Sequence, residues 1–141
     1  MSPAVKILIG FVAVMLMGWA YHGPLGQGEA FVGALEAQAQ QAVAEVPGVQ
    51  ARLGHDPLTR AATLSGPANA FQREGMGEFP GLNDRVDAIE GISSIRWADT
   101  GQAETAIPLL AEALAFILLA YLIGLALGRL LFGRPKREGY L

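Results

Sequence analysis

Hydrophobic residues are ordered in two ways along this chain. Near each end they run almost without a break, over 7–21 (ILIGFVAVMLMGWAY) and 113–132 (ALAFILLAYLIGLALGRLLF). Between these runs they recur periodically and are interrupted by Gly, Pro and charge. Unbroken runs of this length match the roughly 30 Å hydrocarbon core of a bilayer, the first with help from snorkelling flanks. The periodic middle reads as a small folded domain held between two anchors.

Within that middle, 21–28 (YHGPLGQG) is a Pro/Gly-rich exit loop. A helical pattern follows over 29–45, with Phe31, Leu35, Ala42 and Val46 on one face. Gln38, Gln40 and Gln41 cover much of the rest, and Pro47-Gly48 stops the helix. Over 49–53, Val49, Ala51 and Leu53 alternate with Gln50 and Arg52, the period of a half-buried strand. Gly54-His55-Asp56-Pro57 is turn chemistry, and 59–65 returns as the partner strand before Gly66-Pro67.

The stretch 68–80 contains Gly75 and Gly77 and does not support a continuous helix. A second helix is predicted over 82–89, where Leu82, Val86 and Ile89 form the apolar stripe. Gly91 closes it, 92–97 (ISSIRW) is a last strand, and 99–104 leads to the second anchor. The predicted class is α+β, two helices on a three-stranded sheet. The divisions are an anchor at 1–22, an exported domain at 23–105, a spanning helix at 106–133 and a basic tail at 134–141. Roughly seventy ordered residues are near the lower limit for an independent core.

Charge gives this layout a direction. The net charge is −3, yet 21–105 holds five Arg, no Lys and eleven carboxylates, a balance of −6. Lys6 flanks the first run, and Arg129, Arg134, Lys136 and Arg137 lie at the end of the second. The positive-inside rule therefore puts both termini in the cytoplasm and the middle in the periplasm, across a bacterial inner membrane. The rival reading of the first run is a signal peptide cleaved at Gly18-Trp19-Ala20. An acidic exported domain excludes nucleic acid as a partner and repels anionic lipid. There is no cysteine, hence no disulfide, thiol nucleophile or thiolate metal site.

Candidate chemistry is sparse. His22 and His55 lie in different loops without a second ligand at metal spacing. His55 reads as a solvated turn residue. His22, beside Tyr21 at the membrane surface, reads either as an axial ligand for haem or chlorophyll or as part of an interfacial belt with Trp19 and Tyr21. The belt is preferred. Asp56, Asp84 and Asp87 lack the spacing of a calcium loop. No triad, carboxylate pair or phosphate-cradling loop occurs, which predicts a non-enzyme with no catalytic residues, cofactor or metal.

Three features invite contact instead. Ala120, Gly124 and Gly128 form a small-residue face on the second run, suited to close packing with the first anchor, a second copy or another membrane protein. Glu112 and Arg129 are about 24 Å apart on a helix and mark its two interfaces; the sharper alternative makes Glu112 an intramembrane proton carrier. Phe71, Met76 and Phe79 sit on a Gly-rich loop that either forms a contact patch or folds back on the core.

The segment Ala62-Thr63-Leu64-Ser65-Gly66 and, further on, Val86-Asp87-Ala88-Ile89-Glu90-Gly91-Ile92-Ser93-Ser94-Ile95 resemble the BON domain of bacterial envelope proteins. The resemblance covers about residues 29–97, and the 71–80 stretch (FQREGMGEFP) departs from it as an insertion. It implies a non-catalytic module associated with membranes, lipid or other envelope components. The expected function is a scaffold or accessory subunit of an envelope or energy-transducing membrane complex. The alternative is a binding module for lipid or cell-wall components in envelope homeostasis. Expected partners are the lipid bilayer and another membrane protein or a second copy of the chain.

Overall fold

The computed structural model describes residues 2–101 and 106–133. The basic tail at 134–141 and part of the 99–104 connection lie outside the described residues. The first run is helix α1 (Pro3–His22), begun by Ser2, whose hydroxyl accepts from the Val5 N–H at 3.4 Å. It continues unbroken through Gly18-Trp19-Ala20. The second run is helix α5 (Leu109–Phe132). Their 20 and 24 residues correspond to about 30 and 36 Å of helix, and both are apolar enough to cross a membrane.

Between them lies an α+β unit. Its elements are helix α2 (Gln27–Val43), strands β1 (Gln50–His55) and β2 (Leu58–Ser65), and a short helix α3 (Ala70–Glu74). A two-residue pair β3 (Gly75–Met76) and β4 (Phe79–Pro80), helix α4 (Leu82–Asp87) and strand β5 (Ser94–Trp97) follow. The main sheet has the order β1-β2-β5, antiparallel between β1 and β2 and parallel between β2 and β5. The sheet is therefore mixed, with β2 at its centre.

Helices α2 and α4 cover one face of this sheet. Val32, Leu35, Ala39 and Val43 from α2 meet Ala51, Leu53, Ala62 and Leu64 from β1 and β2, with Leu82, Val86 and Trp97 closing the core. The apolar stripe of α2 keeps the expected Leu35 but is otherwise made of Val32, Ala39 and Val43. Phe31 is exposed and Ala42 and Val46 are only half-buried, because the i, i+3, i+7, i+11 series from Val32 faces the sheet. Leu64 is fully buried, and its neighbour on β5 is Trp97, while Ile95 is half-buried beside Ala62.

Other expectations shift at their edges. β1 runs on through Gly54 and His55 with an irregular register, which tightens the predicted four-residue turn to Asp56-Pro57. Helix α4 ends at Asp87 and β5 starts at Ser94, both shorter than the periodicity suggested. The 68–80 stretch is ordered: Asn69 and Gln72 form a reciprocal cap at 2.8 and 2.9 Å, and β3 pairs with β4. Gly66, at φ +123°, makes the close exit from β2, where a Cβ would lie 2.2 Å from the Gly48 carbonyl oxygen.

The open edge of β1 is occupied by side chains from α2. Gln40 Oε1 accepts from the Ala51 N–H at 2.9 Å, and Glu36 Oε2 accepts from the Leu53 N–H at 2.8 Å. Two outward-facing ladder groups are satisfied this way, which blunts an edge that would otherwise recruit another strand. The Glu36 carboxylate also lies 3.1 Å from His55 Nε2. His55 therefore has a carboxylate partner that its loop position did not suggest.

Candidate functional site: the junction of the domain and the two long helices

The two long helices pack against each other through α1's glycines. A Cβ on Gly18 would lie 2.6 Å from Ile117 Cδ1 and 3.1 Å from Leu114 Cδ2; one on Gly10 would lie 2.8 Å from the Tyr121 hydroxyl oxygen. That hydroxyl donates to the Ile7 carbonyl at 2.5 Å, and the Tyr121 and Phe11 ring centres are 6.4 Å apart. Gly10 and Gly18 are eight residues apart, so they share one face at about 12 Å spacing. Small residues at that spacing let backbones approach where no hydrophobic driving force separates helix from lipid.

The predicted small-residue face on α5 lies elsewhere. Ala120 and Gly124 are exposed and Gly128 is half-buried, and a Cβ at either glycine would meet nothing within 4 Å. Within this chain, α1 is not the helix that face contacts. Trp19 and Tyr21 are exposed at the end of α1, and Arg129 is exposed near the end of α5.

Glu112, in the first turn of α5, is where the domain takes hold. Arg60, on β2, donates from Nε to Glu112 Oε2 at 2.7 Å and from Nη2 to Oε1 at 3.1 Å. Its Nη1 donates to the Gly91 carbonyl at 2.8 Å. One guanidinium thus ties β2, the end of the α4 connection and α5 together. The side chains are only 28 % and 18 % exposed, and the fork-to-fork geometry is the strong form of such a pair. The hydrogen bond to Glu112 raises the Arg60 pKa further above its already high value.

Two more contacts reinforce this point. Thr59, buried at the start of β2, forms a backbone bridge with Pro108, and Leu109 packs against the core cluster. Both oxygens of Glu112 are engaged by Arg60, a contact that its expected place at a membrane interface does not itself suggest. Glu112 is one half of a strut. Arg60 was missed because its partner lies 52 residues away, and its only sequence signal was an Arg on the first residues of a strand.

The opposite end of the domain is built differently. α2 leaves α1 after a short connection and extends about 25 Å over its 17 residues; β2 leaves the Pro108 bridge and extends about as far over its eight. Both end near a cleft of about 190 Å³ lined by Val46, Phe71, Phe79, Pro80 and Leu82, with Glu45 and Arg85 in contact at its rim. Phe71, Met76 and Phe79 are 51, 68 and 72 % exposed. They do not fold back on the core.

Beneath that rim the pole is firm. Arg73 donates to Asp99 at 3.0 and 2.6 Å and lies 4.0 Å above the Trp97 ring, whose Nε1 donates to Asn83 at 2.8 Å. The bond from Arg73 holds the Asp99 carboxyl below the ordinary carboxylate range and raises the Arg73 pKa.

Asp56 lies outside the element that carries Asp84 and Asp87. Asp84 accepts from the Gly81 N–H at 2.9 Å, Asp56 sits in the β1–β2 turn, and Asp87 ends α4. Among the described residues no three His, Asp or Glu side chains come together as a metal-ligand group. Comparison of the chain with family models, with curated proteins and with solved structures gives no match.

Proposed function

We propose that this chain is a non-catalytic membrane protein of a bacterial envelope, in which a two-helix anchor holds a BON-like domain in the periplasm as a scaffold or accessory subunit. The observation that carries the reading is the junction: an Arg60–Glu112 strut, a backbone bridge and a leucine packed against the core join the domain to α5. An enzyme needs a site, whereas a scaffold needs a fixed orientation. The helix-strand-strand-helix-strand order around the mixed sheet supports the BON resemblance, with α3, β3 and β4 as the insertion. Basic flanks and an acidic middle support the assigned topology.

In this reading the anchor docks on another membrane protein through Ala120, Gly124 and Gly128, a small-residue face left open by α1. The binding-module alternative draws on a different observation, the aromatic pole at Phe71, Met76 and Phe79. Purification in mild detergent, with mass spectrometry of retained proteins, separates the two. The scaffold reading expects a reproducible membrane partner that is lost in the double variant Gly124→Leu/Gly128→Leu and kept in Phe71→Ser/Phe79→Ser. Equal retention by wild type and the glycine variant would overturn it.

A further inference from the structure

The cleft at the far pole of the domain measures about 190 Å³. That is below the roughly 300–1,000 Å³ of small-molecule sites and suits one bulky side chain of a larger partner. Val46, Phe71, Phe79, Pro80 and Leu82 make its walls apolar. Its polar lining is already engaged: Gln72 Oε1 accepts from the Asn69 N–H at 2.9 Å, and Glu45 and Arg85 bond each other.

The exposed rings at this cleft add little to the core, yet the segment that carries them is tightly built. Asn69 and Gln72 cap α3 reciprocally, Asp84 accepts from the Gly81 N–H at 2.9 Å, and Met76 pairs with Phe79 across the β3–β4 turn. Glycines draw the backbone together: a Cβ on Gly75 would strike the Phe79 carbonyl oxygen, and one on Gly81 the Gly75 nitrogen. An apolar patch ordered before contact loses less entropy on binding, which is the physical use of such order at an exposed place.

Charge selects the partner. The arginines of α3 and α4 are taken, Arg73 by Asp99 and Arg85 by Glu45. Glu74 and Glu78 are exposed and have no ion-pair partner among the described residues. Glu74 follows Phe71 by one turn of α3, and Glu78 directly precedes Phe79, so two unpaired carboxylates accompany the two rings. Anionic lipid is repelled by such a rim, whereas a basic polypeptide complements both its charge and its apolar cleft. We propose that the far pole docks a basic polypeptide segment, which seats one bulky apolar side chain in the cleft between Phe71 and Phe79 and turns Lys or Arg toward Glu74 and Glu78. This contact is separate from the docking face on α5 and is independent of the scaffold's membrane partner.

The test uses the full chain in phosphatidylcholine nanodiscs, whose neutral lipid does not attract a cationic probe. The probe is a fluorescent, end-blocked peptide with one Trp between pairs of Lys in a Gly/Ser background, read by anisotropy against empty discs. Saturable binding with a Kd below about 1 mM is expected, and it should weaken with salt because the rim is exposed to solvent. Phe71→Ser/Phe79→Ser should weaken it at least tenfold. Glu74→Gln/Glu78→Gln, which keeps both rings, should weaken it about fivefold, the worth of two exposed ion pairs, and remove most of the salt dependence. Leu130→Ala, far along α5, should leave it unchanged. A second peptide with Glu for Lys and a third with Ser for Trp should each bind at least tenfold more weakly. No saturable binding up to about 1 mM, equal binding of the three peptides, or binding indifferent to both double variants would overturn the proposal. Flotation of the discs with phosphatidylcholine vesicles that needs Phe71 and Phe79, with no peptide binding, would make the pole a lipid contact and overturn it as well. Retention of the membrane partner in detergent is read separately, so a peptide that fails to bind while that partner is kept overturns this contact alone.

Discussion

The two ends of the α+β domain are opposites. At one, Arg60 grips Glu112, Thr59 bridges Pro108 and half-buried Leu109 packs against the core, so that β2 and α5 are joined at three points. At the other, Phe71, Met76 and Phe79 stand in solvent on a short helix and a two-residue strand pair. Exposed aromatics cost solubility and add little to folding. One end holds orientation and the other offers contact. The exposed side chains that could meet a partner are thus gathered at the far pole.

Both ends depend on the core between them, and the largest effect should come from breaking it. Leu64 is fully buried at the centre of the sheet, so Leu64→Ala should cost about 2–5 kcal/mol, read from chemical denaturation of the domain. For a domain this small such a loss unfolds much of the population. A change below about 0.5 kcal/mol would show that β2 does not join the two ends as described.

A smaller effect isolates the fixed end. Glu112→Gln keeps the side-chain volume but leaves the half-buried Arg60 without its carboxylate. The expected loss is about 1–3 kcal/mol, with faster hydrogen exchange at Thr59 and Leu109 and no change at Trp97. Uniform exchange changes over the domain would mean that the strut is not local to this end.

The open end should respond the other way. Phe79→Ser should alter stability by no more than about 0.5 kcal/mol, because the ring is 72 % exposed and makes little of the core. A loss comparable to that of Leu64→Ala would mean that the pole is packed, and the contrast would fail.

The weakest prediction concerns charge at that pole. Asp99, hydrogen-bonded by Arg73, titrates below the ordinary aspartate value of about 3.9. Because its folded pKa is lowered, its contribution is complete above the ordinary value and is lost as pH falls through the folded one. An NMR titration should show that low midpoint, returned to the ordinary range in Arg73→Gln. An unshifted midpoint in the wild type would mean that the pair does not hold in solution.

How much of this the chain disclosed depends on range. The two spanning-length helices are legible because nothing breaks their apolar runs, β1 because it alternates, and β2 because turn residues precede it and Gly66-Pro67 follows it. The stripe of α2 was displaced because Phe31 outweighed Val32 by size, while Ala39 and Val43 are hidden in an Ala/Gln-rich segment. The face at Ala120, Gly124 and Gly128 is a compact local motif visible in the sequence, whereas the pairing of α1 with α5 uses Gly10 and Gly18, two turns apart and individually ordinary. The strut between Arg60 and Glu112 joins residues 52 apart, and no local pattern announces it. Sequence periodicity reports which face is buried, not which distant charge it meets.

The central claim is that the domain is held at a fixed orientation on the long helices. The chain has no cysteine, so Met76→Cys and Leu127→Cys place one spin label on the far pole and one on α5. Electron–electron double resonance on the full chain in nanodiscs then reads the distribution of distances between them. A single narrow distribution that broadens when Arg60→Gln is added is the predicted result. A broad distribution in the unmodified junction, or one indifferent to Arg60→Gln, would contradict it.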